Sequence, residues 1–442
     1  MIIPSKQLMT LAAAALTFTL TGCGTNIISS PLATQNIPVS AGVAVEGTVF
    51  GGQQPVSNAT MHLYAVSTSG YGTASTSLLT KTVTTSSTGT FSIASDYTCP
   101  TGALVYVVAT QGNPGTASAT ANNSALAMMA GLGACGSITG TTIEVNELTT
   151  VASVWSLSPF MTSYSAVGTS STNIQGITNA FATINNVVNV STGALPGATL
   201  PTGATLPTTL INTIADILAT CINTVDQTGG GFSADCNSLF SYTPNTTGTP
   251  TDTIQVAINL SQNPALSLTP LTQLINAIGA PYQPALSSPP TSWTLAINYV
   301  GGGLSNPKAI ATDASGNVWV ANNGNNSVTK LSTIGAAISG TSGFTAGSIN
   351  TPTAIAVDTS GAPWVANSNT NTLTHLTAAG TSGTLVSGGG LNAPSGIAID
   401  SNGDIWVSNA GNSTLSEFTS TGTALSTITG GGLNLPTAIA IE

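Results

Sequence analysis

The segment 306–322 reads NPKAIATDASGNVWVAN, and it recurs as TPTAIAVDTSGAPWVAN at 351–367 and as APSGIAIDSNGDIWVSN at 393–409. A shorter copy, LPTAIAIE, occupies 435–442. The proline in second place of each copy returns after 45, 42 and 42 residues. Repeats of about 40–45 residues that contain several short strands are typical of propeller blades. The repeat therefore predicts an incomplete β-propeller over 291–442, with three full blades and parts of a fourth.

Each copy also predicts its own hairpins. The proline suits the first residue of a strand, where no ladder donor is needed. An Asp followed three residues later by Gly predicts a tight turn, because Asp can accept hydrogen bonds from turn amides and Gly adopts positive φ. The next strand carries a tryptophan. We therefore assign turn-closing and packing roles within the blades to six residues: Asp313, Trp319, Asp358, Trp364, Asp400 and Trp406.

The segments that flank the three copies predict one incomplete blade. SWTLAINYVGGGLSNP at 292–307 aligns with TGTALSTITGGGLNLP at 421–436, the outermost strand of a repeat and its exit. The segment before the first copy thus supplies the last strand of a blade, and the segment after the third copy supplies the first strand. The middle strands of this incomplete blade are absent. Three explanations stay open: an open ring covered by the helical region, a ring built by two chains, or a longer propeller of which this is a part. We favour the last, because an unclosed sheet edge invites aggregation.

The repeat pattern resembles the NHL-repeat propellers, including those of bacterial surface lipoproteins and of streptogramin lyase. The resemblance covers roughly 293–442 and implies a fold more than an activity, because propellers host unrelated functions. The lyase branch implies histidines and a metal ion at the propeller centre. Within the repeats the sequence contains one histidine, His375.

Two functions fit this pattern. The first is a non-catalytic binding or scaffold protein with a protein or glycan ligand, since Asn, Ser, Thr and Trp can hydrogen-bond to sugars and stack on them. The alternative is a lyase or hydrolase at the propeller face, which needs convergent ionisable groups or metal ligands. Its candidates are His375, Glu417, Asp404 and Lys308. We favour the binding protein and predict no catalytic residue, metal site or cofactor.

The composition excludes one class of partner. Charged residues make up 4% of the 442 residues, against roughly a quarter in ordinary globular proteins. Arginine is missing, lysine occurs four times, and the formal net charge is −10. So few cations cannot neutralise a row of phosphates, so that nucleic-acid binding is not expected.

Residues 1–23 read as an export signal. Lys6 supplies a positive charge, and a short apolar run ends in Leu20-Thr21-Gly22-Cys23. This ending resembles the lipobox of bacterial lipoproteins, which implies acylation of Cys23, including palmitate, and a membrane anchor on an exported cell-envelope protein. An ordinary secretory signal with an incidental cysteine is the alternative. Residues 24–42, rich in Ser, Thr, Pro and Asn, predict a flexible tether.

Two further domains are predicted between the tether and the repeats. Residues 43–111 alternate apolar and polar residues in short runs, which predicts a small antiparallel β-sandwich. The order VEGTVFGGQQPVSNATMHLYAV, then TGTFSI, resembles the transthyretin-like modules of carboxypeptidases and surface proteins and implies a spacer or adhesion module.

Residues 112–290 predict a mainly helical domain. NNSALAMMAGLG could begin a helix, and NELTTVASVWSLSPFM has a clear apolar helical face with Asn146 as its cap. Glu144 and Glu147 form the only close carboxylate pair here, and their position suits a favourable interaction with the helix dipole better than catalysis.

Four cysteines follow Cys23 in the sequence: Cys99, Cys135, Cys221 and Cys236. Four cysteines allow three pairings, which a sequence cannot separate. Proximity favours Cys99–Cys135, which would tie the sandwich to the helical region, and Cys221–Cys236. Metal binding is not expected, because no C-x-x-C motif or histidine cluster is present.

Overall fold

The computed structural model describes residues 39–52, 54–115, 121–137, 142–278 and 280–441. The predicted export signal, Cys23 and most of the tether lie outside these residues. Within them, the first thirteen strands are β1 Val39–Ala41, β2 Val45–Gly51, β3 Gln54–Pro55, β4 Thr60–Ala65, β5 Thr76–Ser77, β6 Val83–Thr84, β7 Thr90–Ile93, β8 Thr98–Pro100, β9 Leu104–Thr110, β10 Ala127–Ala134, β11 Thr142–Val145, β12 Met161–Ser163 and β13 Ala166–Val167. Six helices follow or interrupt them: α1 Glu147–Leu157, α2 Ile174–Val187, α3 Thr208–Ile222, α4 Ala234–Tyr242, α5 Thr253–Gln262 and α6 Leu268–Ile278.

The sandwich consists of two sheets that share one apolar core. One sheet has the order β10-β9-β4-β5 with β6 paired to β4, and the other has the order β11-β2-β3 with β7 paired to β2. β10 and β11 therefore extend the sandwich beyond the predicted boundary at residue 111. β11 also runs parallel to β2, so that the sandwich is not entirely antiparallel.

The predicted helix start in NNSALAMMAGLG is wrong, because this segment contains β10. Residues 127–132 are all buried. A strand that is covered on both faces has a continuous apolar run, and periodicity cannot distinguish such a run from a buried helix.

The helices pack against the sandwich in one continuous core. The cluster of buried side chains extends from Val45 in β2 to Trp293, beyond the last helix. α1 contacts β10 as well as α2, α3 and α5. The cap of α1 is the predicted one: the Asn146 side chain accepts from the Thr149 amide, and the Thr149 hydroxyl accepts from the Asn146 amide.

Two disulfides join the four described cysteines, Cys99–Cys135 and Cys221–Cys236. The sequence predicted that the first disulfide would tie the sandwich to the helical region, and this prediction is wrong. Cys99 lies in β8, which pairs with β1, and Cys135 directly follows β10 of the sandwich, so that neither end lies in a helix. The second disulfide joins α3 to α4.

The repeats form three small antiparallel sheets. Their strands are β14 Pro307–Thr312, β15 Val318–Asn322, β16 Ser327–Leu331, β17 Pro352–Val357, β18 Pro363–Asn367, β19 Thr372–Leu376, β20 Gly383–Ser387, β21 Pro394–Ile399, β22 Ile405–Asn409, β23 Thr414–Phe418 and β24 Ala424–Ile428. We call β14–β16 the first sheet, β17–β20 the second sheet and β21–β24 the third sheet; each has its strands in sequence order.

The expectation of three full four-stranded units is wrong for the first sheet. It has three strands, and two isolated bridges, Val328–Phe344 and Leu331–Ala337, stand where a fourth strand would begin. The connecting segment 335–348 contains four glycines with positive φ, which bend the chain away from a regular strand.

The predicted partial blade does not form as strands either. Residues 292–306 contain a single bridge, from Asn298 to Thr205. Trp293 is fully buried with the helices, and its indole Nε1 donates to the Leu266 carbonyl over 2.8 Å. The segment 433–441 is not assigned to a strand.

Candidate functional site

The repeat sheets stack through two different faces. The tryptophan and the second residue after it point to one side, which we call the Trp face. The residue between them points to the other side, and so does the isoleucine of the first strand in the same sheet. We call this side the Ile face. One cluster joins Trp319 and Ala321 of the first sheet to Ile355 and Val365 of the second. A second cluster repeats this contact between the second and third sheets.

The Ile face of the first sheet lacks such a cover. Ile310 is 68% exposed, whereas its equivalents Ile355 and Ile397 are 7% and 9% exposed. A cleft of about 600 Å³ opens over this face. Its apolar lining includes Tyr299, Leu304, Ile310, Val318, Val320 and Leu331. Thr183 of α2 lies on its border. This cleft is an uncovered apolar surface in the described repeats.

The repeat aspartates close their turns and hold the tryptophans. In the first sheet, Asp313 accepts from the Asn317 amide at 2.9 Å and from Trp319 Nε1 at 3.2 Å. Asp400 accepts from Trp406 Nε1 at the same distance in the third sheet. Burial opposes ionisation of Asp313, but hydrogen bonds from Asn317 and Trp319 and the nearby Lys330 hold its pKa below the ordinary value. Asp313 is therefore a charged structural group.

The residue that faces the tryptophan on the third strand differs between the sheets. Lys330 Nζ lies 4.4 Å from the centre of the Trp319 ring and 3.5 Å from Asp313 Oδ2. Its ammonium also donates to the Ala378 carbonyl of the next sheet over 2.9 Å. Lys330 thus combines an ion pair, a cation–π contact and a bond between sheets.

His375 has the same position in the second sheet. Its ring stacks on Trp364 with 4.0 Å between centroids, and its Nε2 lies 3.2 Å from Asp358 Oδ2. The histidine therefore occupies the carboxylate oxygen that the tryptophan uses in the other sheets. Trp364 Nε1 is buried and has no hydrogen-bond partner among the described residues.

A buried asparagine at the end of each second strand was not assigned a role from the sequence. Asn322 donates to the hydroxyls of Ser327 and Thr329 and accepts from the Ser305 amide. Asn367 and Asn409 make the equivalent bonds in their own sheets. Their recurrence at one repeat position was the available signal, and the structure shows that they join each sheet to the segment before it.

The structure does not bring the candidates for a lyase or hydrolase together. His375 pairs with Asp358, whereas Glu417 accepts from the Ser426 hydroxyl in the third sheet. Lys308 borders the cleft on the first sheet, and Asp404 lies in the turn that Asp400 closes. In the part of the chain that the structure describes, no group of three or more His, Cys, Asp or Glu side chains could hold a metal ion.

A second polar cluster lies where the sandwich meets the helices. Glu147 is fully buried, and its carboxyl group accepts from the Gly52 amide at 2.8 Å and from the Tyr282 hydroxyl at 2.6 Å. The Tyr282 amide donates to Asp216 Oδ1 over 2.9 Å, while Asp216 Oδ2 lacks a partner among the described residues. We call Glu147 and Asp216 the carboxyl pair. Tyr282 bridges its two members.

Burial raises the pKa of both acids in the carboxyl pair. The pKa of Glu147 rises to about 7, against the hydrogen bonds from Tyr282 and Gly52, and that of Asp216 also rises to about 7. Glu147 lies in the first turn of α1 as expected, and below about pH 7 its carboxyl group is mainly neutral, so that it has no charge to interact with the helix dipole. Asp216 was missed, although a carboxylate inside the apolar stripe of α3 is a visible signal.

The comparisons with known proteins concern the repeats. The NHL repeat family model matches residues 391–418. No curated protein matches the chain. The family model and the three small antiparallel sheets make this chain a propeller-like repeat protein in its C-terminal part.

The chain is also similar to parts of several solved structures. For streptogramin B lyase the identity is 21% and the TM-score 0.26, over 29% of this chain and 42% of that one. For virginiamycin B lyase from Staphylococcus aureus the identity is 18% and the TM-score 0.30, and the match covers 34% of this chain and 50% of that one. For a nidogen/laminin complex the identity is 16% and the TM-score 0.26, and the match covers 33% of this chain and 55% of that one. The chain thus spans about half the length of each of these structures.

Proposed function

We propose that this protein is an exported, lipid-anchored cell-envelope protein whose propeller-like repeats bind another protein without catalysis. The observation that carries the proposal is the contrast between the two kinds of repeat surface. The polar side chains that recur in the three sheets are mostly hydrogen-bonded to neighbouring residues of the repeats. The apolar Ile face of the first sheet, by contrast, is not covered by another sheet. A surface of this kind can gain free energy by covering apolar area, at about 25 cal/mol per Å².

A protein ligand fits this face better than a glycan. The cleft is lined mainly by aliphatic side chains and one tyrosine. Sugars need hydrogen-bonding groups beside an aromatic platform, and the recurring asparagines Asn322, Asn367 and Asn409 are buried and bonded to hydroxyls within their own sheets. An apolar, uncovered sheet face is instead typical of a protein interface.

Two observations support the exported location. The disulfides Cys99–Cys135 and Cys221–Cys236 suit an oxidising compartment. The sequence before the described residues carries the lipobox-like ending at Cys23. None of the described helices has the length and apolar character to cross a bilayer.

Fractionation and a binding assay test this proposal. The full chain, expressed in a bacterium that acylates lipoproteins, should appear in the membrane fraction and incorporate a palmitate analogue. The Cys23→Ser variant should leave the membrane and lose the label. Purified protein should be retained on immobilised envelope fractions, and treatment of those fractions with proteinase, not with periodate, should abolish retention. Periodate sensitivity would indicate a glycan ligand, and no retention would reject the binding role.

One observation favours a second candidate function, that of a lyase or hydrolase. His375 and Asp358 form a hydrogen-bonded pair, and His375 lines a cleft of about 410 Å³ together with Ser360 and Thr377. Such a pair could supply a general base. Turnover of ester or lactone substrates that is lost in the His375→Gln variant would support the enzyme.

A further inference from the structure

We propose that the exposed ring of Tyr71 is a binding platform for a neutral glycan. Tyr71 lies in the segment 66–75, which connects β4 to β5 of the sandwich. One apolar face of a sugar would stack on the ring, and a sugar oxygen would accept a hydrogen bond from the tyrosine hydroxyl. The site is separate from the repeats and does not rest on the proposed function.

The segment 66–75 is held in place by backbone hydrogen bonds at both of its ends. The Ser67 amide donates to the Val167 carbonyl over 3.0 Å, and the Ser75 amide donates to the Ser165 carbonyl over 2.9 Å. The segment is therefore tied to the chain around β13. A platform that is already ordered needs little further ordering when a ligand binds, which lowers the entropic cost of binding.

The ring of Tyr71 is also fixed in one orientation. It stacks on the buried Phe160 ring with 5.7 Å between centroids and 18° between the planes. Its hydroxyl accepts from Asn173 Nδ2 over 2.7 Å. Asn173 is fixed in turn, because its Oδ1 accepts from the Gly176 amide and caps α2. Tyr71 is nevertheless 55% exposed, so that the ring face opposite Phe160 is available to a ligand.

Tyr71 offers the two groups that a sugar needs. The face of an aromatic ring is negatively polarised, and it attracts the C–H groups that line one face of a β-linked hexopyranose. The tyrosine hydroxyl accepts from Asn173, and its own proton has no acceptor among the described residues. This proton can therefore be donated to a sugar oxygen at the edge of the ring.

Hydroxyl side chains border the platform on two sides. On one side Ser69 forms a bridge with Ser170, and the hydroxyls of Ser170 and Thr172 lie 3.0 Å apart in an exposed pair. On the other side the Thr162 hydroxyl donates to the Gly72 carbonyl over 2.9 Å. Such groups can exchange hydrogen bonds with the hydroxyls of a sugar that lies on the ring.

The charge and size of the surface favour a neutral glycan over other ligands. Residues 66–75 and 160–173 contain no Asp, Glu, Lys, Arg or His, so that neither an anionic nor a cationic ligand meets an opposite charge there. The large apolar side chains that the described structure leaves exposed here are Tyr71 and the neighbouring Ile174. A protein interface needs a larger contiguous apolar patch, whereas a single sugar ring covers one tyrosine.

Titration of the purified full chain with cellohexaose, laminarihexaose and chitohexaose tests the proposal, with saturation-transfer NMR as the readout. Tyr71→Leu removes the aromatic face but keeps an apolar group over Phe160. Tyr71→Phe keeps the face and loses the hydroxyl. Tyr242→Leu, at another exposed tyrosine at the end of α4, is the matched control. Urea unfolding of each variant checks that the fold is retained.

We expect at least one of the three hexasaccharides to bind with a Kd on the order of 1 mM, because a single platform supports weak binding. Tyr71→Leu should weaken this binding by about tenfold or more. Tyr71→Phe should weaken it by about threefold, the effect of one hydrogen bond, and Tyr242→Leu should leave it unchanged.

Three results would overturn the proposal. They are no binding of any of the three hexasaccharides, binding that Tyr71→Leu leaves unchanged, and a loss in Tyr71→Phe as large as that in Tyr71→Leu. Tighter binding of an anionic alginate hexamer at the same tyrosine would contradict the neutral ligand. Because the proposed protein ligand binds the repeats, retention on envelope fractions should be equal in Tyr71→Leu and the unmodified chain, so that either proposal can fail without the other.

Discussion

The repeat sheets and the joint between the sandwich and the helices treat their carboxyl groups in opposite ways. The repeat aspartates Asp313, Asp358 and Asp400 accept hydrogen bonds from turn amides and ring nitrogens, and their pKa values lie below the ordinary value. The carboxyl pair, Glu147 and Asp216, lies among apolar side chains, and its pKa values lie well above the ordinary ones.

The difference shows that burial decides the charge of the carboxyl pair, whereas hydrogen bonds decide that of Asp400. Asp400 receives bonds from the amides of Asn402 and Asp404 and from the Trp406 ring, which together favour its ionised form. Asp216 receives one amide bond, and none of the described lysines contacts it or Glu147. Because desolvation outweighs the hydrogen bonds that these two groups receive, neutralisation by a proton is the less costly way to bury the carboxyl pair.

The largest expected effect is a loss of stability with rising pH. The raised pKa of Glu147 means that the folded protein holds its proton between pH 4.5 and about 7, where the unfolded chain releases it. The free energy of unfolding should therefore fall across this range by on the order of 3 kcal/mol, and then level off. Urea unfolding at several pH values measures this fall.

The Glu147→Gln variant should reduce that pH dependence to the part that Asp216 contributes, because the amide carries no charge at any pH. Glu46→Gln, at an exposed residue of β2, is the matched control and should keep the pH dependence of the unmodified chain. A fall in stability as large in Glu147→Gln as in the unmodified chain would show that this group is not a source of it.

A smaller effect is expected from the first sheet. Asp313→Ala leaves the buried Lys330 ammonium without its carboxylate and should lower the free energy of unfolding by about 2 kcal/mol at pH 7. Because its pKa is lowered, Asp313 stabilises the fold above its ordinary 3.8 and loses this effect as the pH falls further. Asp400→Ala, where no lysine is present, should cost less in the same urea experiment. Equal losses would contradict a role for the ion pair.

The smallest effect is expected in the second sheet. His375→Leu frees Asp358 to accept from Trp364 Nε1, the bond that the first and third sheets already make. The gain of this bond offsets the lost imidazole bond, so that stability should change by less than about 1 kcal/mol. In NMR spectra the indole N–H resonance of Trp364 should move toward those of Trp319 and Trp406. An unmoved resonance would show that the aspartate does not turn to the tryptophan.

The sequence predicts much of the repeat region because its contacts are local. Asp313 and Trp319 are six residues apart, and the turn between them has its own signature in Asp and Gly. The period also places the isoleucines on one face. The sequence does not predict that His375, rather than Trp364, is hydrogen-bonded to Asp358 Oδ2. This depends on which of the two ring nitrogens comes closer to that oxygen.

The joint could not be predicted in the same way. Glu147, Asp216 and Tyr282 are far apart in the sequence and meet only after α1 and α3 have packed on the sandwich. The identity of β10 was hidden for a related reason, because burial on both faces removes the alternation that marks a strand.

In each repeat, a polar side chain accepts a hydrogen bond from the backbone at the start of the next repeat. The Asn326 side chain accepts from the Thr351 amide, and the Asn371 side chain accepts from the Ala393 amide, each over 2.7 Å. The Ser413 hydroxyl accepts from the Leu435 amide over 3.1 Å. Coupling between nearest neighbours makes such arrays behave as one-dimensional cooperative chains. Duplication of one unit, cut from proline to proline, would therefore lengthen the array without any new kind of contact.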